Sequence, residues 1–267
     1  MAAIKPEIKF ALVGCGRIAR RHAELLGGRQ VAGARLAAVC DIVPEKARCL
    51  GERFGVPYYT DMREMMEKTP VDAVSVLTPM FLAPSQEELY VHFTTIAANT
   101  SLPVIMYNNP PKTNVALAPA TVARLADVPN IIGVKDSCGD LTITAEYIRL
   151  TQGKKFSVLM GRDTLIFGAL CYGATGSIAS CANVAPRVCA DIYNRFKAGD
   201  MAGALEAQFN LAPLRIAFNL GTFPAVIKES LVMLGIEAGA CMLPAGPMSA
   251  EDRNRLRKVL VEMGLLK

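Results

Sequence analysis

Histidine is scarce and metal-ligand spacing is missing: the 267-residue chain has two histidines, and its eight cysteines form no CxxC pair. A zinc site draws three or four such ligands from close spacings, so no metal is expected. The cysteines read as reduced, buried thiols of a cytoplasmic protein. No apolar run approaches the roughly 20 residues that cross a bilayer. The opening MAAIKPEIKF lacks the apolar stretch of a signal peptide. Charge of one sign does not gather either. The 29 Lys and Arg are interspersed with 24 Asp and Glu, for a net charge of +5, without the basic stripe of a nucleic-acid binder. Neither a membrane nor a nucleic acid is therefore expected as a partner, and no low-complexity linker divides the chain.

What the chain does have is apolar content, 52% of residues, arranged as short runs alternating with longer amphipathic segments. The pattern predicts strands at Lys9–Val13, Leu36–Asp41, Ala73–Thr78, Val104–Tyr107, Ile131–Lys135, Ser157–Gly161 and Gly176–Ala179, with a weaker one at Val56–Tyr59. Helical patterns such as Glu87–Ala98, Ala118–Ala126 and Thr142–Thr151 lie between them. Strands separated by helix-length segments imply parallel βα units. After Ala179 only helices follow, at Ala185–Lys197, Met201–Leu214, Pro224–Leu234 and Ala250–Met263, with Asp200 and Ser249 as N-caps.

Two constellations carry chemistry. In the first, FALVGCGRIA is a strand running into a GxGxxA turn. Gly14 permits the tight turn, Gly16 allows a backbone to approach a pyrophosphate, and Ala19 allows close helix packing. Asp41, ending the second strand, is placed to accept hydrogen bonds from a ribose. The alternative is that the glycines serve only the turn and Asp41 only starts a loop.

In the second, VIMYNNPP puts Tyr107 at a strand end and IIGVKDS puts Lys135 at the end of the next. In a parallel βα array those ends form the face where active sites collect. Desolvation there favours a neutral, nucleophilic amine, which attacks a ketone to form a Schiff base while a phenol relays protons. The competing reading is a lysine reaching solvent beside a core tyrosine. His22, His92 and the Arg20-Arg21 pair are read as structural or solvated.

Residues 8–78 resemble the Rossmann half of the glucose–fructose oxidoreductase and inositol dehydrogenase family, through ALVGCGRIARRHAELL, AAVCD, FGVPYYTD and VDAVSVLTP. Neither that family's Glu-Lys-Pro motif nor its second domain follows. From Thr78 onward the chain is similar to the dihydrodipicolinate synthase and N-acetylneuraminate lyase family, through TPMFLAPSQEELYVHF, LPVIMYNNPPKTNVAL, PNIIGVKDSCGDL, VLMGRD and GATGSIASCANVAPR. That resemblance implies Lys135 as the Schiff-base lysine for a pyruvate-like keto acid and Tyr107 as the phenol, with no cofactor required. It implies Gly161 and Ile178 as pocket-lining positions and Lys112 where the family often has arginine. The family's Gly-x-Thr-Gly-Glu-type loop is missing, and Met80 and Phe81 stand where its synthases often have tyrosines.

Together these resemblances lead to an expectation of a chimera. A Rossmann-like half (1–78) would join, through a shared strand within 71–79, an aldolase-type half-barrel with C-terminal helices (79–267). Because a Rossmann half orders its strands 3-2-1-4 and a barrel half 4-5-6-7-8, an open or partly curled sheet with homo-oligomerisation is expected. A closed TIM barrel is the alternative. Three functions are carried forward: a class I aldolase-type lyase acting on a 2-keto acid, impaired by the missing half; an NAD(P)-binding module; and an engineered or recombined scaffold with vestigial sites.

Overall fold

The computed structural model describes residues 7–13, 15, 23–24, 26–29 and 34–267. It divides into two compact units, Met1–Val74 and Ser75–Lys267.

In the first unit, β1 (Ile8–Val13), β2 (Ala34–Cys40) and β3 (Tyr58–Tyr59) form a parallel sheet in the order β1-β2-β3. β2, ARLAAVC, is apolar on both faces and buried along nearly its whole length, the pattern of a parallel strand covered on two sides. α1 (Pro44–Phe54) starts with proline at its first turn and stops at Gly55, whose φ of 63° is open to glycine at little cost. Its Ala47 and Leu50 pack with Leu36 and Val39 on one side of the sheet. α2 (Met62–Lys68) is capped by Asp61, which accepts from the N–H groups of Arg63 and Glu64. Its Met65 packs with Ala38 and Cys40.

In the second unit β4 (Val74–Leu77), β5 (Val104–Asn108), β6 (Ile131–Asp136), β7 (Ser157–Met160) and β8 (Gly176–Ser177) lie in sequential order in one sheet. The paired strands β5 to β8 are parallel. The helices between them are α3 (Gln86–Ala98), the single-turn α4 (Pro110–Thr113), α5 (Pro119–Leu125), α6 (Leu141–Leu150) and α7 (Ile166–Tyr172). α3 opens with a capping box in which Ser85 and Glu88 satisfy each other's backbone N–H groups. Gln86 then ties α3 to the α5 entry: its Nε2 donates to the Ala116 carbonyl, and its Oε1 accepts from the Ala118 N–H and the Thr121 hydroxyl.

Four helices end the chain: α8 (Pro186–Lys197), α9 (Met201–Ala217), α10 (Ala225–Met233) and α11 (Ala250–Glu262). Asp200 caps α9 through the Gly203 N–H, and Ser249 caps α11 through the Asp252 N–H. No single described helix is long and apolar enough to cross a membrane.

Two expectations need correction here. β4 is not a strand shared between two sheets: among the described residues it stands in the five-stranded sheet beside β5, and the N-terminal sheet runs only from β1 to β3. The cysteines are all free but not all buried. Cys15, Cys40, Cys181 and Cys189 are buried, whereas Cys49 and Cys171 are exposed, because the latter fall on outward positions of α1 and α7.

Candidate active site

The register of β5 and β6 pairs Tyr107 with Lys135. Both side chains, half-buried, leave the same face of the sheet, and Lys135 Nζ lies 3.9 Å from the centroid of the Tyr107 ring. The Tyr107 hydroxyl accepts a hydrogen bond from Asn109 Nδ2 at 3.0 Å.

Directly behind this pair, the alternate residues Asn108 and Asp136 face a buried polar network. Asn108 Nδ2 donates to Asp136 Oδ1 at 2.9 Å and to the Tyr147 hydroxyl at 3.1 Å, while Asn108 Oδ1 accepts from the Leu117 N–H at 3.0 Å. The Tyr147 hydroxyl in turn donates to the Leu117 carbonyl at 2.5 Å, and the Thr144 hydroxyl to Asp136 Oδ2 at 2.7 Å. Burial and the nearby Asp136 push the Tyr147 phenol far above its ordinary range. They also push the Cys138 thiol, whose Sγ lies 3.2 Å from Asp136 Oδ2, up to about 12. Neither group ionises near neutrality. A network this fully paired fixes the strand ends that carry Tyr107 and Lys135.

Tyr107 opens onto a cavity of about 540 Å³. Its wall includes Lys112, whose Nζ stands 5.6 Å from the Phe223 ring centroid, and Gly161. A Cβ at Gly161 would collide with the Ser137 hydroxyl and stand 2.9 Å from the Asp136 carbonyl, so only glycine fits where β7 ends against β6. Ile178 is not in this wall. It is 43% exposed, and its N–H donates to the Met160 carbonyl.

Other residues of the cavity carried no strong sequence signal: Asn109, Ser137, Arg162, Asp163 and Arg215. Arg162 and Asp163 follow Gly161 directly and could have been found by extending that strand end. Arg215 sits on α9, beyond the reach of any local pattern.

The nucleotide-type residues fare differently. Gly14, Gly16, Ala19, His22 and the Arg20-Arg21 pair lie outside the described residues. Asp41 is described, and both of its oxygens are occupied by main chain. Oδ2 accepts from the Cys15 N–H at 2.6 Å and Oδ1 from the Val43 N–H at 2.8 Å. These bonds, that from Val43 foremost, hold its carboxyl below the usual range. His92, half-buried on α3 with its ring edge-on to Phe93, has its imidazolium disfavoured by burial. Among the described residues no group of three or more His, Cys, Asp or Glu could hold a metal ion.

Residues 60–263 match the dihydrodipicolinate synthetase family, and the chain belongs to that family. It is 41% identical over 192 residues to a 4-hydroxy-tetrahydrodipicolinate synthase of Methanothrix thermoacetophila, covering 72% of this chain. That match spans 65% of the relative, just under two thirds of its length. Among solved structures, the dihydrodipicolinate synthase of Thermotoga maritima superposes over 96% of this chain and 87% of its own, with a TM-score of 0.73 at 29% identity. YagE, a prophage protein of the dihydrodipicolinic acid synthase family from E. coli K12, was solved in complex with pyruvate. It superposes over 96% of this chain and 87% of its own, with a TM-score of 0.74 at 26% identity.

Those superpositions overturn the chimera. The chain follows one (βα)-barrel-type family fold across nearly all its length, not a Rossmann half joined to half a barrel. The readings of a recombined or engineered scaffold and of a separate nucleotide-binding half fall with it. The physical reason for the error is that Rossmann and barrel sheets share the neighbours β1-β2-β3 and part only at the fourth strand. A glycine-rich βα sequence followed by an acid fits either, and here Asp41 accepts from the Cys15 N–H.

Proposed function

We propose that the chain is a Schiff-base carbon–carbon lyase acting on pyruvate or a similar 2-keto acid, with Lys135 as nucleophile and Tyr107 as proton relay. The observation that carries this reading is the amine of Lys135 against the ring of Tyr107, at adjacent strand ends, with the tyrosine facing a cavity. Family membership supports it, as does the binding of pyruvate by YagE.

Lys135 Nζ, as the free amine, adds to C2 of the keto acid, and the carbinolamine loses water to give an imine. Loss of a proton from C3 gives an enamine, whose C3 attacks the carbonyl carbon of an aldehyde. The new carbon–carbon bond forms as the aldehyde oxygen takes a proton. Water then adds to C2 and releases Lys135; cleavage is the reverse. The Tyr107 oxygen accepts from Asn109, so its own proton is available to the carbinolamine and to the aldehyde oxygen. No metal or nicotinamide cofactor enters this sequence.

Incubation with pyruvate and borohydride, followed by intact mass and peptide mapping, tests the proposal. One reduced pyruvate on Lys135, absent from Lys135→Arg, is expected. Tyr107→Phe should keep the adduct on Lys135 but form it roughly 10²-fold more slowly, the usual scale of a lost general acid. A folded protein without adduct, or with the adduct on another lysine, rejects the assignment.

A further inference from the structure

Asn109 occupies a capping position and does not cap. It is the N-cap of α4, where a carboxamide ordinarily accepts from the second or third N–H of its helix. Here the first two helical residues are Pro110 and Pro111, which have no N–H to offer. The third, Lys112, gives its N–H to the Asn109 carbonyl at 2.9 Å. The Asn109 side chain therefore makes no cap hydrogen bond and is released to the cavity it lines.

The main chain of Asn109 is held from several sides at the same time. Its carbonyl also accepts from the N–H and the hydroxyl of Thr113, both at 3.1 Å. The buried Thr78, just past β4, donates from its hydroxyl to that of Thr113 and from its N–H to the Tyr107 carbonyl. Two consecutive prolines fix φ in the turn that follows. A half-buried donor on so constrained a backbone needs little reorganisation to hold its partner. That partner is the Tyr107 oxygen, 3.0 Å from Nδ2.

A phenol oxygen carries one O–H and two lone pairs. Once an amide N–H fills a lone pair, the O–H has to find its acceptor elsewhere, and it donates more strongly for being polarised. Resting on the Schiff-base reading above, we propose that Asn109 is a positioning residue of the proton relay. By donating to the Tyr107 oxygen it fixes the phenol and directs the phenolic proton to the reacting oxygens. It acts on the reaction through Tyr107 alone.

A double-mutant cycle tests this, read by pyruvate adducts trapped with borohydride at timed intervals. The saturating rate and the half-saturating pyruvate concentration are measured separately, and circular dichroism checks that each variant is folded. Asn109→Leu keeps the bulk of the side chain without its donor. It should lower the saturating rate about tenfold, the scale of one hydrogen bond, and leave the half-saturating concentration unchanged. In the Tyr107→Phe background the same substitution should have almost no effect, because the group it acts through is gone. Asn109→Ala replaces it in the cycle should the leucine upset folding. Asn109→Asp matches the shape and the capping preference but, ionised, can only accept. It should draw the phenolic proton to itself and react at least as slowly as Asn109→Leu.

Equal losses in the tyrosine and phenylalanine backgrounds would assign Asn109 to the turn alone and overturn the proposal. So would Asn109→Asp at the wild-type rate, which would show the amide accepting from the phenol. A wild type that forms no adduct rejects the lyase reading and this proposal with it. An adduct that forms at a rate indifferent to Asn109 rejects the proposal alone.

Discussion

β2 and β6 both run into an aspartate, and the two acids are used differently. Asp41, just beyond β2, is half-buried and accepts two main-chain N–H groups, from Cys15 and Val43. Asp136, the last residue of β6, is 1% exposed and accepts from the Asn108 amide, the Thr144 hydroxyl and the Cys138 N–H. In sequence the two acids look alike. In the structure the first binds main chain alone, whereas the second belongs to a cage that holds the residue beside it, Lys135, in register with Tyr107. A strand-end carboxylate therefore says little about function by itself; what distinguishes the two is how many side chains converge on it, and how dry the site is.

The largest expected contrast lies in replacing each acid. Asp136→Ala would leave the Asn108 amide, the Thr144 hydroxyl and the Cys138 N–H without their acceptor in the interior. It should lower the unfolding free energy by about 3 kcal/mol. Asp41→Ala, at a wetter site, should cost about 1 kcal/mol, the scale of a lost cap. Urea unfolding of both variants checks the ranking, and equal costs would break the comparison. The pyruvate adduct on Lys135 should form in Asp41→Ala at the wild-type yield.

A smaller effect concerns acid. Because its folded-state pKa is depressed, Asp41 adds stability that is fully present above its unfolded value of about 3.9 and is lost as pH falls through the lower folded value. The stability lost on acidification should therefore be slightly smaller in Asp41→Asn, measured as urea midpoints from pH 6 down to pH 3. Smallest of all is the response to cofactor: with both Asp41 oxygens occupied, millimolar NADH should leave its own fluorescence unchanged.

Much of the second unit was legible in its sequence. β5 and β6 read correctly because apolar runs of strand length precede Tyr107 and Lys135, and parallel order puts such ends on one face. The caps Asp200 and Ser249 were legible because capping is local chemistry. What the sequence hid depends on distance along the chain. Strand order beyond β3 is decided by where β4 goes, and no residue in the glycine-rich turn encodes that. Arg215 reaches the cavity from a helix whose amphipathic pattern announces only that one side is buried. The network of Asn108, Asp136 and Tyr147 joins residues 28 and 39 positions apart, a separation no spacing rule detects. Ile178 was placed by resemblance, and the cavity wall does not include it.

Gly161 and Arg162, adjacent at the end of β7, set unequal limits on how this site can diversify. The first cannot acquire a side chain without displacing Ser137 and the end of β6. The second, half-buried, has no side-chain hydrogen bond or ion pair with another described residue. A lineage reshaping this cavity wall would thus keep the glycine and vary its neighbour, at small cost to the fold.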